Sequence, residues 1–151
     1  MRRILGALVL VPIVSIGLGA QKGRDLSKLD ACKVLTPADV TAAAKRTVIK
    51  SVGGQAHCGY VVEAPQSSAD TYDFYLNEAS VTEALLELKK GAEKGTAVPG
   101  VLGEAYVGPA VGSPKQLSLV ALRKGDISFE IQGPNKDVLI ALGQLAASRL
   151  K

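Results

Sequence analysis

Apolar residues recur along this chain at two spacings, one of three to four positions that suits a helix and one of two that suits a strand. Thr36-Pro37-Ala38-Asp39 has the form of a helix start: Thr36 can cap the free amides, Pro37 fits the first helical position, and Asp39 sits at the positive end of the dipole. Leu35 and Val40 flank it at the spacing of a hydrophobic staple. The helix is predicted to run to about Arg46, with Lys45 and Arg46 in the last turn, where cations are favoured. After Val52-Gly53-Gly54 the period becomes two, with Cys58, Tyr60 and Val62 on one face. Beyond the linker Ala64-Pro65-Gln66-Ser67-Ser68 it continues with Tyr72, Phe74 and Leu76. These segments predict two antiparallel strands. Ser80-Val81-Thr82-Glu83 reads as a capping box, and Val81, Ala84, Leu85, Leu88 and Ala92 form one stripe with Glu83, Glu87, Lys89, Lys90 and Lys94 off it. A second helix is expected over about 81–94, ended by Gly95.

Residues 95–115 hold five glycines and Pro99, Pro109 and Pro114, and are expected to be mostly loop with one short strand around Glu104 to Val107. Gln116 to Arg123 and Ile127 to Gln132, separated by Lys124-Gly125-Asp126, predict a hairpin. Its first arm is apolar on both faces, Leu117, Leu119 and Ala121 against Val120 and Leu122, which predicts a central strand covered on both sides. A last helix over about 136–150 carries Val138, Leu139, Ala141, Leu142, Leu145, Ala146 and Leu150 on a broad apolar face. Hairpin strands between amphipathic helices predict an α+β fold, an antiparallel sheet of about five strands with three amphipathic helices packed on it.

The N-terminus differs from everything after it. Arg2 and Arg3 precede an uncharged apolar run from Ile4 to Ala20 that ends in the small residues Gly17-Leu18-Gly19-Ala20, the layout of a secretory signal peptide. Cleavage after Ala20 would leave a polar tether, residues 21–28, and one domain over 29–151; retention of the run as a membrane anchor is the alternative. No cysteine stands at the end of the run, so lipidation is not expected. The product is expected to be secreted or periplasmic, meeting the membrane only through its signal. Without Arg2 and Arg3, 16 basic residues face 14 acidic ones. The basic residues are dispersed and no aromatics alternate with them, which argues against nucleic acid.

Two cysteines in an exported chain are expected to pair, and a Cys32–Cys58 bridge would be worth about 3–4 kcal/mol as a loop closure. The sharper reading, His57 and Cys58 as base and nucleophile, fails because strand neighbours point to opposite faces. One histidine and two cysteines fall short of a structural zinc site. Glu104 and Tyr106 lie among Gly100, Gly103 and Gly108, where a backbone can approach a ligand, but a phosphate cradle needs a helix next, and Ala105-Tyr106-Val107 reads as strand. Tyr75, opposite in face to Phe74, is the aromatic most open to a partner. Ser80, Ser113 and Ser128 have no histidine in a suitable context for a nucleophile. No cofactor is implied.

Asp30-Ala31-Cys32-Lys33-Val34-Leu35-Thr36-Pro37, followed by Cys58-Gly59-Tyr60, resembles the opening of a family of uncharacterised bacterial cell-envelope domains, often lipoproteins. Those domains begin Asp-x-Cys-x-Leu-Leu-Thr-Pro and carry a second cysteine before an aromatic residue. Val101-Leu102-Gly103-Glu104-Ala105-Tyr106 and Leu119 to Asp126 are similar to later features of the same family. The resemblance implies an envelope location and a Cys32–Cys58 pair, and no chemistry. The expected function is a non-enzymatic interaction module presenting loops 64–70 and 95–115 to an envelope protein or small ligand. The alternatives are a carrier holding a lipophilic molecule between the sheet and helix 81–94, and a small hydrolase.

Overall fold

The computed structural model describes residues 28–64, 70–77, 79–91, 94–123 and 127–150. The expected signal peptide, nearly all of the tether, the linker residues 65–68, Ala92 and the Lys124-Gly125-Asp126 turn lie outside them, as does the capping role of Ser80. The described elements are α1 (Ala31–Val34), α2 (Pro37–Ala44), β1 (Val48–Gly53), β2 (His57–Val62), β3 (Asp70–Leu76), α3 (Ala79–Lys90), β4 (Thr96–Ala97), β5 (Glu104–Ala110), β6 (Ser113–Arg123), β7 (Ile127–Gly133) and α4 (Lys136–Arg149). The fold is α+β, with one antiparallel sheet in the order β1-β2-β3-β7-β6-β5-β4.

The expectation of five strands and three helices is corrected to seven and four among the described residues. The additions are those with the weakest periodic signal. β1 is an edge strand with no buried residue, so no alternation marks it. β4 is two residues long, and α1 is a single turn started by Asp30, whose side chain accepts from the Cys32 amide. Residues 104–115 are also more ordered than expected: β5 continues through Gly108 and Pro109 to Ala110, and β6 begins at Ser113. Gly108 is a packing glycine here. A Cβ there would lie 2.8 Å from Leu88 Cδ2 and 2.9 Å from Gly95 Cα.

The helices divide unequally over the sheet. α1, α2 and α4 cover one face, burying Leu35, Val40, Tyr60, Tyr72, Phe74, Leu119, Phe129, Ile131 and Leu139 in the main core. α3 lies alone on the other face, where Val81, Ala84, Leu85 and Leu88 pack on Val120, Leu122, Tyr75 and Tyr106. β6 is therefore central and covered on both faces, as its sequence predicts. The expected start of α2 is present as a capping box between Thr36 and Asp39, with Pro37 in its first turn. Its end comes at Ala44, because Lys45 turns into the left-handed region at φ 53°. α3 likewise ends at Lys90, short of the predicted 94.

The Cys32–Cys58 disulfide is formed across 26 positions. It ties α1 to β2, one strand in from the sheet edge, rather than to the edge strand itself. Tyr60, two residues after Cys58, donates its hydroxyl to the Leu35 carbonyl, and burial pushes that phenol well above its usual range. Among the described residues no helix is long and apolar enough to cross a membrane.

Candidate functional site

Among the described elements α3 packs chiefly on β5, β6 and β7 and meets β3 at Tyr75, so that face of the sheet is least covered over β2. Paired residues in an antiparallel sheet project to the same side, so the register lays out the open face directly. One row runs His57, Tyr75, Glu130, Val120 across β2, β3, β7 and β6. The next row runs Gly59, Asp73, Gln132, Ser118. Polar side chains thus form a stripe that crosses four strands and ends beneath α3.

At one end, His57 Nε2 lies 3.0 Å from Asp73 Oδ1, and the imidazole stacks on Tyr75 with ring centroids 4.7 Å apart. Asp73 reaches diagonally over Gly59, where a Cβ would stand 2.9 Å from its Oδ1. Only glycine leaves room for the pair. A His–Asp pair is the arrangement that acid–base work needs, but among the described residues no serine, threonine or cysteine hydrogen-bonds the imidazole. Cys58 is in the disulfide and on the other face.

At the other end, Glu130 is 3 % exposed and Ser118 1 %. Ser118 Oγ donates to Glu130 Oε1 at 2.6 Å, and Gln132 Nε2 donates to the same oxygen at 2.8 Å. Both bonds fall on Oε1, which leaves Oε2 without a donor among the described residues. Glu130 and Gln132 line a cavity of about 500 Å³ between the sheet and α3. Its helical wall is Glu83, Ala84, Leu86 and Glu87, and Val111 closes it from the turn between β5 and β6. Leu86 and Val111, 49 % and 61 % exposed, are two of the four large apolar side chains left open to solvent among the described residues. Three carboxylates therefore share an apolar-rimmed cavity that no basic residue lines among the described residues. Glu83 and Glu87 are one helical turn apart, a like-charge spacing that costs a few tenths of a kcal/mol. Among the described residues no three acidic, histidine or cysteine side chains converge closely enough to hold a metal ion.

Of the residues that the sequence points to as a partner site, Glu104, Tyr106 and Tyr75, none lines this cavity. Glu104 forms an ion pair with Lys89 of α3 at 2.5 Å, and that ammonium holds its carboxyl below the usual range. Lys89 also stands 5.9 Å over the Tyr106 ring. Tyr75 is half-buried against the α3 cluster and His57. All three thus fasten α3 to the sheet. Glu130, Gln132 and Ser118 were not singled out, although a signal was present: Ser128, Glu130 and Gln132 alternate with Ile127, Phe129 and Ile131, and Gln116 and Ser118 alternate with Leu117 and Leu119. That period marks a polar face opposite the core. Glu83 and Glu87 were legible as residues off the apolar stripe. No family model, curated protein or solved structure matches this chain.

Proposed function

We propose that this chain is an exported, non-enzymatic binding module of the bacterial cell envelope, secreted or periplasmic after loss of its signal peptide, and that the cavity beside α3 takes a small amphipathic organic cation. The Arg-led apolar N-terminus, the Cys32–Cys58 bridge and the resemblance of residues 30–37 and 58–60 to envelope domains support the location. Glu130 carries the ligand class. Among the described residues no buried side-chain oxygen lacks a partner, so an Oε2 that accepts from no protein donor reaches the solvent of the cavity that Glu130 lines, where a ligand can meet it. An ammonium group would fill that position and relieve the Glu83–Glu87 repulsion, while Leu86 and Val111 would cover an attached hydrocarbon.

The carrier reading is narrowed by the same geometry. Val81, Ala84, Leu85 and Leu88 pack against the strands under α3, and the cavity opens beside them with three carboxylates in its wall. A neutral lipophilic ligand would have to leave those charges unpaired.

Titration calorimetry of the mature protein with octyltrimethylammonium, octanoate and octyl glucoside tests the reading. The cation is expected to bind, with octanoate and the neutral detergent much weaker, and Glu130→Gln is expected to weaken the cation about tenfold, the range of a charge-assisted contact. Equal binding of all three probes, or no loss in Glu130→Gln, would overturn it.

A further inference from the structure

We infer a docking surface independent of the cation cavity: the outer edge of β1 takes a second copy of this chain, the two strands pairing antiparallel about a two-fold axis at Val52 so that one sheet continues into the other. β1 is the first strand in the sheet order, and among the described residues its outer side pairs with no strand. Gly54 donates its amide to His57 O, and Glu63 donates to Thr47 O, so bonded pairs stand at both ends of the β1–β2 ladder. Alternation from the Gly54 end makes Val52 and Gly59 a bonded pair and leaves Gly53, opposite Cys58, and Ser51, opposite Tyr60, in non-bonded positions. The N–H and C=O of Ser51 and Gly53 consequently point outward, away from β2. Both residues are exposed.

The open stretch is short, because both of its ends are closed. Toward the start of β1 the register shifts between Val48 and Lys50, and the Val48 amide is already bonded to Thr41 Oγ1 at 3.1 Å. Toward the other end the Gly54 carbonyl accepts from the Ala31 amide. Bulges and edge lysines keep a sheet edge from pairing indiscriminately, and here those devices stop at Lys50. Ser51, Val52 and Gly53 remain unguarded. Val52, 59 % exposed, lies on the same face as its partner Gly59, opposite the core face that carries Cys58 and Tyr60.

The register selects the occupant. Two-fold pairing about Val52 sets Ser51 opposite Gly53 of the second copy and Gly53 opposite its Ser51, and each of these pairs exchanges both of its N–H···O bonds. The two Val52 side chains then meet at the non-bonded position, where cross-strand side chains come closest. Lys50, the charged residue of the strand, falls opposite Gly54 of the second copy and meets no like charge. A foreign strand would find the same two residues to bond and no others, since the bulge and Ala31 close both ends. The chain's own β1 offers those bonds together with a matched apolar side chain at the axis. So short a contact buries far less than the roughly 1,000 Å² of a standing interface, which makes the dimer a weak one, with a Kd above about 1 µM.

The test is sedimentation velocity of the mature protein from about 10 µM to about 1 mM, a range that brackets a weak dimer. The sedimentation coefficient is expected to rise toward that of a dimer. Val52→Lys and Val52→Asp each set like charges face to face at the axis and are expected to weaken association at least about tenfold, while an equimolar mixture of the two variants recovers it as a heterodimer. Hydrogen exchange of the parent protein gives a readout that needs no variant: the Ser51 and Gly53 amides are expected to slow as concentration rises, and the Val52 amide, already bonded to Gly59, to change little. A monomer at the highest concentration, which would leave the edge to a foreign strand, would overturn the proposal. A dimer indifferent to both variants, a mixture that stays monomeric, or exchange at Ser51 and Gly53 that ignores concentration would do the same. Octyltrimethylammonium binding is read separately, so failure here leaves the α3 cavity unaffected.

Discussion

Asp39 joins two distant parts of the chain through one carboxylate. Its oxygens accept from the Thr36 amide and hydroxyl at the start of α2 and from both terminal nitrogens of Arg149 at the end of α4, at 2.6–2.9 Å. Arg149 also donates to the Val34 carbonyl. The guanidinium beside it, opposed by partial burial, holds the Asp39 carboxyl at about 2, against an ordinary 3.8. A lowered folded-state pKa stabilises the fold above the unfolded value and loses that contribution as pH falls. Asp39→Asn is therefore expected to cost about 1 kcal/mol near neutrality, a figure kept small because Arg149 is partly exposed. The cost should shrink between pH 4 and pH 2, as followed by urea unfolding of both proteins. A difference that stays constant across that window would refute the assignment. The sequence contained half of this arrangement, since Thr36, Pro37 and Asp39 are local signals. Arg149 lies 110 positions away and could not be read from spacing.

Among the elements, α3 is the one whose attachment depends on small residues beneath it. Gly108 and Gly95 allow Leu88 to approach the sheet, and Lys89 reaches over the rim to Glu104 and Tyr106. Gly108→Ala places a methyl group within 2.9 Å of the Gly95 backbone, which has no side chain to rotate away. We expect it to destabilise the protein by about 1–3 kcal/mol, the usual cost of overpacking. It should also weaken octyltrimethylammonium binding, because α3 carries Glu83 and Glu87. Unchanged thermal unfolding would show that the helix can shift freely. The helix itself was legible from its stripe and from Glu83 and Glu87 off it. The glycines around it were misread as loop, because a glycine chosen for close packing and one chosen for a turn look alike in sequence. β1 and β4 escaped for a related reason: exposed or two-residue strands have no alternation to detect.

At the scale of the molecule, one bridge and one sheet hold the parts together. Cys58 is fully buried, and the bridge closes a loop from α1 through β1 to β2. Replacing both cysteines with serine is expected to cost about 3–4 kcal/mol of unfolding free energy by loop entropy, measured as a lower urea midpoint with a steeper slope, because the unfolded chain without the bridge exposes more surface. A midpoint identical to that of the parent would show that the bridge constrains nothing.

The strand order also dictates when the fold can form. β3 pairs with β7, joining Leu76 to Phe129 and Asp73 to Gln132, while α3 and three strands lie between them in the chain. The N-terminal hairpin thus has one edge waiting for the last strand to be made, and non-local pairing of this kind closes slowly. The bridge lies wholly on the waiting side, so it can hold α1, β1 and β2 together before their sheet is complete. A staple so placed acts on the order of assembly as well as on the stability of the finished domain.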